Sequence, residues 1–166
     1  LEVSMLNKDS FSDEELESYL SKGALRASDE ITVPPKILFV GDCTIATFGN
    51  FSASTGKAKS KKTFNISAMV AAAVTNSTVL NYRACLPEGK RTILYFDTEQ
   101  SKYHCHTVLE RIYRLSGLSL KKDDPRLMFW GLREYTPKLR IAVIDYALRK
   151  YEGVGLVIID GLRDLM

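Results

Sequence analysis

The chain contains the stretch Phe51-Ser-Ala-Ser-Thr-Gly56-Lys-Ala-Lys-Ser-Lys61-Lys62-Thr63-Phe-Asn-Ile66, which largely determines the predicted fold. Its first residues predict a short apolar strand, Gly56 opens a basic loop, and a helix begins at Lys62-Thr63. The helix continues over residues 64–75, where the run Ala71-Ala-Ala73 makes it apolar on most sides and therefore buried. Such a loop suits an anion, because the N–H groups of the first helical turn have no partner within the helix.

Residues 56–63 match the P-loop pattern G-x-x-x-x-G-K-[ST] at every defining position except the second glycine, which is Lys61. In this register, Gly56 and the backbone N–H groups of Ser60, Lys61 and Lys62 are predicted to cradle the phosphates of a nucleotide. The side chain of Lys62 is predicted to reach the β- and γ-phosphates. The hydroxyl of Thr63 is predicted to bind Mg²⁺.

A second register, with Gly56-Lys57 as the final G-K, fails twice, since it requires a glycine at Phe51 and a hydroxyl residue at Ala58. In the preferred register, Lys61 has to adopt a left-handed backbone conformation, which costs a non-glycine residue roughly 1–2 kcal/mol. Either Lys61 carries this strain or the loop has another shape. A solvated basic loop between a strand and a helix is the alternative interpretation of the whole segment.

Two further apolar segments end in carboxylates. Residues 155–161, Gly-Leu-Val-Ile-Ile-Asp160-Gly, predict a strand covered on both faces, and Asp160 at its end could hold Mg²⁺ through water. Residues 92–96 predict a second strand, followed by Asp97-Thr-Glu99. Glu99 is a candidate general base that positions water at the γ-phosphate. Asp160 could instead be an ordinary turn former, Asp97 a turn former or helix cap, and Glu99 the start of the next helix. All these sites are predicted at the carboxyl ends of parallel strands, where open α/β sheets bind ligands.

The combination resembles the RecA-like P-loop ATPases, which include RecA recombinase and the DnaB- and RepA-type hexameric helicases. It is most similar to ATPases of bacterial mobile elements, the TnpC-like proteins of mobilizable transposons. The resemblance covers about residues 35–166 and depends on three segments: the loop from Gly56 to Thr63, Tyr95-Phe-Asp-Thr-Glu99-Gln-Ser101, and Ile159-Asp-Gly-Leu-Arg-Asp-Leu165.

This resemblance implies a RecA-like core that binds ATP and Mg²⁺, with Glu99 and Lys62 catalytic and with Thr63 and Asp160 at the metal. It also implies DNA as a partner of the full-length protein, and a homo-oligomer. RecA-like cores continue with a further strand inserted between the P-loop strand and the Walker B strand. Because the chain stops at Met166, we expect it to be part of a longer polypeptide, truncated on the C-terminal side.

Two regions are predicted, residues 1–33 and 34–166, separated before Pro34-Pro35. In the first, Ser12-Asp-Glu-Glu15 is a capping box that opens a short helix ending near Gly23. The apolar stripe of this helix either packs on the protein or forms a docking arm for a neighbouring subunit. In the second, residues 36–40 and 44–48 flank Gly41-Asp42, which predicts a β-hairpin leading into the P-loop strand.

The remaining pattern predicts a helix over 103–116, a strand over 127–130, and a helix that Thr136-Pro137 opens and that runs to about residue 151. The order from the P-loop strand onward is therefore β-α-β-α-β-α-β. This order predicts an α/β fold with a mostly parallel sheet and right-handed crossovers. The aromatic residues of the strands are expected to be core residues: Tyr95, Phe96, Phe129 and Trp130.

Composition sets the broad limits. The chain has 166 residues, of which 45% are hydrophobic, enough for one core, and its net charge of +3 does not by itself predict nucleic-acid binding. Three unpatterned cysteines, together with the lack of a secretory signal, predict a reducing, cytoplasmic setting. No apolar run is long enough to span a membrane.

The sequence therefore predicts an ATP-binding, Mg²⁺-dependent hydrolase module of a DNA-processing protein. Two alternatives remain open. One is a non-hydrolysing nucleotide- or DNA-binding assembly module whose P-loop has degenerated at Lys61. The other is a small-molecule kinase, for which the sequence offers no arginine-rich lid.

Overall fold

A computed structural model describes residues 11–56 and 61–165 and divides the chain into two compact units, Leu1–Val33 and Pro34–Met166. In the first unit, helix α1 spans Asp13–Gly23. The predicted capping box is confirmed: the Glu15 N–H donates to the Ser12 hydroxyl at 3.2 Å, and the Ser12 N–H donates to Glu15 Oε2 at 2.8 Å. The apolar stripe of α1 is exposed to solvent at Leu16, Tyr19 and Leu20.

The second unit begins with a small antiparallel sheet. Strands β1 (Lys36–Val40) and β2 (Cys43–Thr47) form the predicted hairpin around Gly41, whose φ of 54° suits a tight turn. Two very short strands, β3 (Thr78–Val79) and β4 (Tyr82–Ala84), complete the sheet in the order β2-β1-β4-β3. This second hairpin is absent from the sequence prediction.

The predicted P-loop strand is wrong. Residues 51–56 form no strand, and the side chain of Phe51 is 96% exposed. The Ser52 hydroxyl donates to the Ile45 carbonyl at 2.6 Å, so the segment lies along β2 rather than in the parallel sheet. After Phe51 the segment consists of small and polar residues, which bury too little apolar surface to stabilise a core strand.

Helix α2 spans Lys62–Thr75, so the predicted helix start is confirmed. Its second half is almost completely buried, with residues 70–74 fully shielded from solvent. The helix ends at Asn76, which takes a left-handed conformation (φ 49°) while its N–H contacts the carbonyls of Ala72 and Ala73. Burial of nearly all sides agrees with the expectation from the alanine run.

A three-stranded parallel sheet forms the centre of the second unit. Its strands are β5 (Thr92–Asp97), β6 (Leu127–Gly131) and β7 (Val154–Asp160), in the order β6-β5-β7. Helices α3 (Lys102–Ser116) and α4 (Pro137–Lys150) connect them. Three of the four predicted parallel strands are therefore confirmed, and the fourth, before α2, is the one that does not form.

Strand β5 separates two apolar clusters, because alternate side chains of a strand point to opposite faces. Ile93 and Tyr95 pack with α2 and α3, while Leu94 and Phe96 pack with α4. Tyr95 stacks on Phe129 with ring centroids 4.2 Å apart, and Phe96 stacks on Trp130 at 4.9 Å. The expectation that these four aromatic residues belong to the core is confirmed.

Within the described ranges, no helix combines the length and the apolar character required to cross a lipid bilayer.

Candidate functional site

The first part of the site is the start of α2. Lys61 precedes the helix with φ 61° and ψ 23°, the left-handed conformation that the second glycine of a P-loop would supply. Its carbonyl accepts the N–H groups of Phe64 and Asn65 at 3.0 and 3.1 Å. No side chain in the described ranges caps this helix end. Of the two outcomes open from the sequence, Lys61 carries the strain.

Lys61→Gly should raise the free energy of unfolding by about 0.5–1 kcal/mol. The substitution removes about 1–2 kcal/mol of left-handed strain and gives the unfolded chain extra freedom worth somewhat less. Urea unfolding measures the change. Lys62→Gly is the matched control, because residue 62 is helical and glycine there should lower stability. Equal responses of the two variants would contradict a strained Lys61.

The second part of the site is the carboxyl end of β7. Asp160 is paired in register with Asp97 of β5, so two carboxylates end neighbouring strands. The Tyr95 hydroxyl donates to Asp160 Oδ2 at 3.2 Å. Burial, followed by the negative charge of Asp97, raises the pKa of Asp160, while Tyr95, Lys62 and Thr63 each act to lower that pKa.

Lys62 and Thr63, at the start of α2, are near enough to the end of β7 for the lysine charge and a threonine hydrogen bond to lower the Asp160 pKa. Both side chains are half-buried, as is Asp160, and the three come from segments about 100 residues apart in the sequence. The lysine, hydroxyl and carboxylate that the sequence assigned to phosphate and Mg²⁺ are thus brought together.

The third part of the site is the turn after β5, which carries Glu99. Asp97 is fully buried, and its Oδ1 accepts the N–H groups of Glu99 and Gln100 at 3.0 and 2.7 Å. Its Oδ2 accepts the side-chain amide of Gln100 at 2.7 Å. With these bonds satisfying both oxygens, Asp97 fixes the turn, which confirms its predicted role as a turn former.

Thr98 joins this turn to the end of β7. Its N–H donates to the Asp160 carbonyl at 3.0 Å, and its hydroxyl donates to the Gly161 carbonyl at 2.7 Å. Gly161 has φ 100°, and a Cβ there would lie 2.6 Å from Glu99 Cγ and would overlap the Thr98 hydroxyl. The exposed side chain of Glu99 therefore packs over Gly161, one residue beyond Asp160.

Arg140 of α4 holds the neighbouring loops. Its guanidinium donates to the carbonyls of Leu132 (3.1 Å) and Arg133 (2.7 Å), which follow β6. It also donates to the carbonyl of Asp164 at 2.6 Å, in the short 3-10 helix Leu162–Leu165 that follows β7. One side chain thus links the segments after two strands.

Four of the predicted site residues therefore lie at one edge of the sheet: Lys62, Thr63, Glu99 and Asp160. Lys61 flanks them at the helix start, whereas Gly56 is exposed and follows no strand. Ser60 lies outside the described residues.

Sequence reasoning missed Tyr95, Thr98 and Gly161 as contributors to the site. Spacing could have suggested Tyr95, which shares a strand face with Asp97 two residues later. The contacts of Thr98 and Gly161 depend on the register between β5 and β7, which is not visible from either segment alone.

The oxygen atoms that this site could offer to a metal ion belong to Thr63 and Asp160. No group of three or more His, Cys, Asp or Glu side chains suited to a metal ion occurs among residues 11–56 and 61–165. Mg²⁺ commonly binds through one or two protein oxygens together with substrate phosphates and water. Thr63 and Asp160 offer such a partial set.

No protein-family model, curated protein or solved structure matches this chain.

Proposed function

We propose that this chain is the nucleotide-binding module of a RecA-like, Mg²⁺-dependent ATPase. The observation that carries the proposal is the position of Lys62 and Thr63, at the N-terminus of α2, beside Asp160 at the end of β7. A cation, a hydroxyl and a carboxylate at a helix start form a set that suits a polyphosphate with its metal ion. Glu99, packed over Gly161, adds a carboxylate to the same edge.

Each residue then has a distinct role. Lys62 and the N–H groups at the start of α2 would bind the phosphates, and Thr63 would ligate Mg²⁺. Asp160 would hold the water shell of the metal ion, and Glu99 would orient the attacking water. Bound Mg²⁺ would neutralise the charge that develops on the phosphate oxygens.

Two features of the fold favour this function. The carboxylates lie at the carboxyl ends of adjacent parallel strands, the usual ligand site of open α/β sheets. In addition, Lys61, at the position of the second glycine in the P-loop pattern, adopts a left-handed backbone conformation that glycine reaches readily.

A non-hydrolysing binding module is the second candidate. It is favoured by the segment before the loop, which is exposed and forms no strand that would anchor Gly56 to the parallel sheet. Work on DNA for a mobile element, and assembly of several copies, rest on the sequence resemblance alone. ATP turnover that is lost in Glu99→Gln while ATP affinity is kept would favour the hydrolase.

The test of nucleotide binding is Asp160→Asn. We expect the variant to lose about tenfold in affinity for a fluorescent ATP analogue with Mg²⁺ present, and to keep the wild-type affinity in EDTA. We also expect its free energy of unfolding at neutral pH to rise, because burial and the charge of Asp97 disfavour the charged carboxylate. Titrations with and without Mg²⁺, and urea unfolding, measure the two effects.

The pH dependence of stability should show that the Asp160 charge destabilises the folded state. The folded state raises the pKa of Asp160, so the folded protein binds this proton more readily than the unfolded chain does. Stability therefore falls as pH rises from the ordinary Asp pKa of about 3.9 to the raised value, and is constant above it. The advantage of Asp160→Asn should grow through this window.

Asp124→Asn is the control. Hydrogen bonds from Arg126 lower the pKa of Asp124, so loss of that charge should decrease stability at neutral pH and leave nucleotide binding unchanged. Unchanged Mg²⁺-dependent affinity in Asp160→Asn, or no ATP binding by the wild type, would rule out the proposed function.

A further inference from the structure

The surroundings of Tyr95 hold its hydroxyl in one place. The residue is fully buried at the centre of β5, and its ring stacks on Phe129 with an interplanar angle of 12°. Close packing on both sides leaves the ring little rotational freedom. A buried phenol also needs a hydrogen-bond partner, and here that partner is Asp160.

The Tyr95 hydroxyl contacts one particular oxygen of the Asp160 carboxylate. The Tyr95 hydroxyl donates to Oδ2 of Asp160, so one oxygen of the carboxylate is engaged on the protein side. Lys62 and a side-chain hydrogen bond from Thr63 act on the same carboxylate, so Asp160 is contacted both from β5 and from the start of α2. A carboxylate held in this way presents one defined oxygen to a ligand, instead of rotating about its Cβ–Cγ bond.

We propose that Tyr95 is a positioning residue that orients the Asp160 carboxylate so that Oδ1 faces the hydrated Mg²⁺ of a bound nucleotide. The inference rests on the proposed function and adds a residue that neither the P-loop pattern nor the carboxylate motifs contain. Tyr95 itself does not touch the nucleotide. It acts through one hydrogen bond to the residue that does.

This role of Tyr95 predicts different effects on metal-dependent and on metal-free ATP binding. Orientation of Asp160 matters only when the metal ion is bound, because the phosphates themselves are bound by Lys62 and by the backbone. Loss of the hydroxyl should therefore weaken the metal-dependent part of ATP binding and leave the metal-free part unchanged. It should also be compensated by a higher Mg²⁺ concentration, since the defect is one of metal affinity.

The experiment uses Tyr95→Phe, which keeps the ring and its stacking on Phe129. A fluorescent ATP analogue is titrated in EDTA and at a series of Mg²⁺ concentrations. We expect unchanged affinity in EDTA, about a tenfold higher Mg²⁺ concentration for half-maximal enhancement, and wild-type affinity at saturating Mg²⁺. Mg²⁺-dependent thermal stabilisation of the ATP complex provides a second readout that is independent of turnover.

Tyr113→Phe is the matched control. Tyr113 is also a buried tyrosine, and its hydroxyl accepts the Asp124 N–H at 2.7 Å in another part of the unit. Its loss should lower stability to a comparable extent without changing the Mg²⁺ dependence. A Tyr95→Phe variant that loses stability but keeps the wild-type Mg²⁺ dependence would overturn the inference and leave the proposed function intact. A wild type that does not bind ATP would overturn both.

Discussion

Replacing Lys62 by alanine is expected to weaken ATP binding about 10- to 100-fold. The ammonium group would form charge-assisted hydrogen bonds with the phosphates, which typically contribute about 1.5–3 kcal/mol each. The expected loss depends on the position of the Lys62 side chain. It lies near Asp160 at the helix start, where a nucleotide would place its phosphates and metal ion. Titration with a fluorescent ATP analogue at fixed ionic strength measures the loss.

Lys61→Ala provides the comparison, because it removes one positive charge from the same segment and replaces one strained non-glycine residue with another. We expect its affinity to fall no more than about threefold, the effect of a screened surface charge. If both variants lose affinity equally, the loop acts only through its net charge. If Lys62→Ala binds as tightly as the wild type, the phosphate site is elsewhere.

Gly161→Ala is expected to lower the free energy of unfolding by about 3 kcal/mol. The backbone at this position has φ 100°, which side chains rarely tolerate, and the new methyl group would meet Glu99 Cγ at 2.6 Å. The turn that carries Glu99 would have to move away from Asp160. We therefore expect Mg²⁺-dependent ATP binding to decrease as well, and urea unfolding together with ATP titration measures both effects.

Gly49→Ala separates the two causes. Gly49 has φ 80°, but a Cβ there would meet no atom within 4 Å, so only the backbone strain of about 1–2 kcal/mol should appear. Glu99→Ala in the Gly161→Ala background should recover about 1 kcal/mol, because it removes the colliding Cγ. Independent, additive effects of the two substitutions would show that Glu99 does not pack over Gly161.

Much of this fold could be predicted from local patterns. The helix after Lys62, the strand that ends at Asp97 and the strand that ends at Asp160 are long apolar runs with clear boundaries, and all three were predicted with small errors. The same is true of the capping box at Ser12. Such features depend on residues within a few positions of each other, so the sequence contains the necessary information.

Other features depend on contacts between distant segments. The strand expected at Phe51 does not form, since its motif position suggested a strand but its small polar residues cannot fill a core site. The β3–β4 hairpin has strands of only 2 and 3 residues, too short for an alternating pattern. The contact between Tyr95 and Asp160 joins residues 65 positions apart and exists only because of the strand register.

The hydrogen bonds made by Thr98 and Arg140 affect the free energy of ligand binding. Together they link the loops that follow all three parallel strands, so that these loops form one hydrogen-bonded rim at the carboxyl edge of the sheet. Loops that folding has already fixed lose little conformational entropy when a ligand binds. More of the interaction free energy therefore contributes to affinity. Because these loops are hydrogen-bonded to one another, a substitution that displaces one of them should also displace the other two.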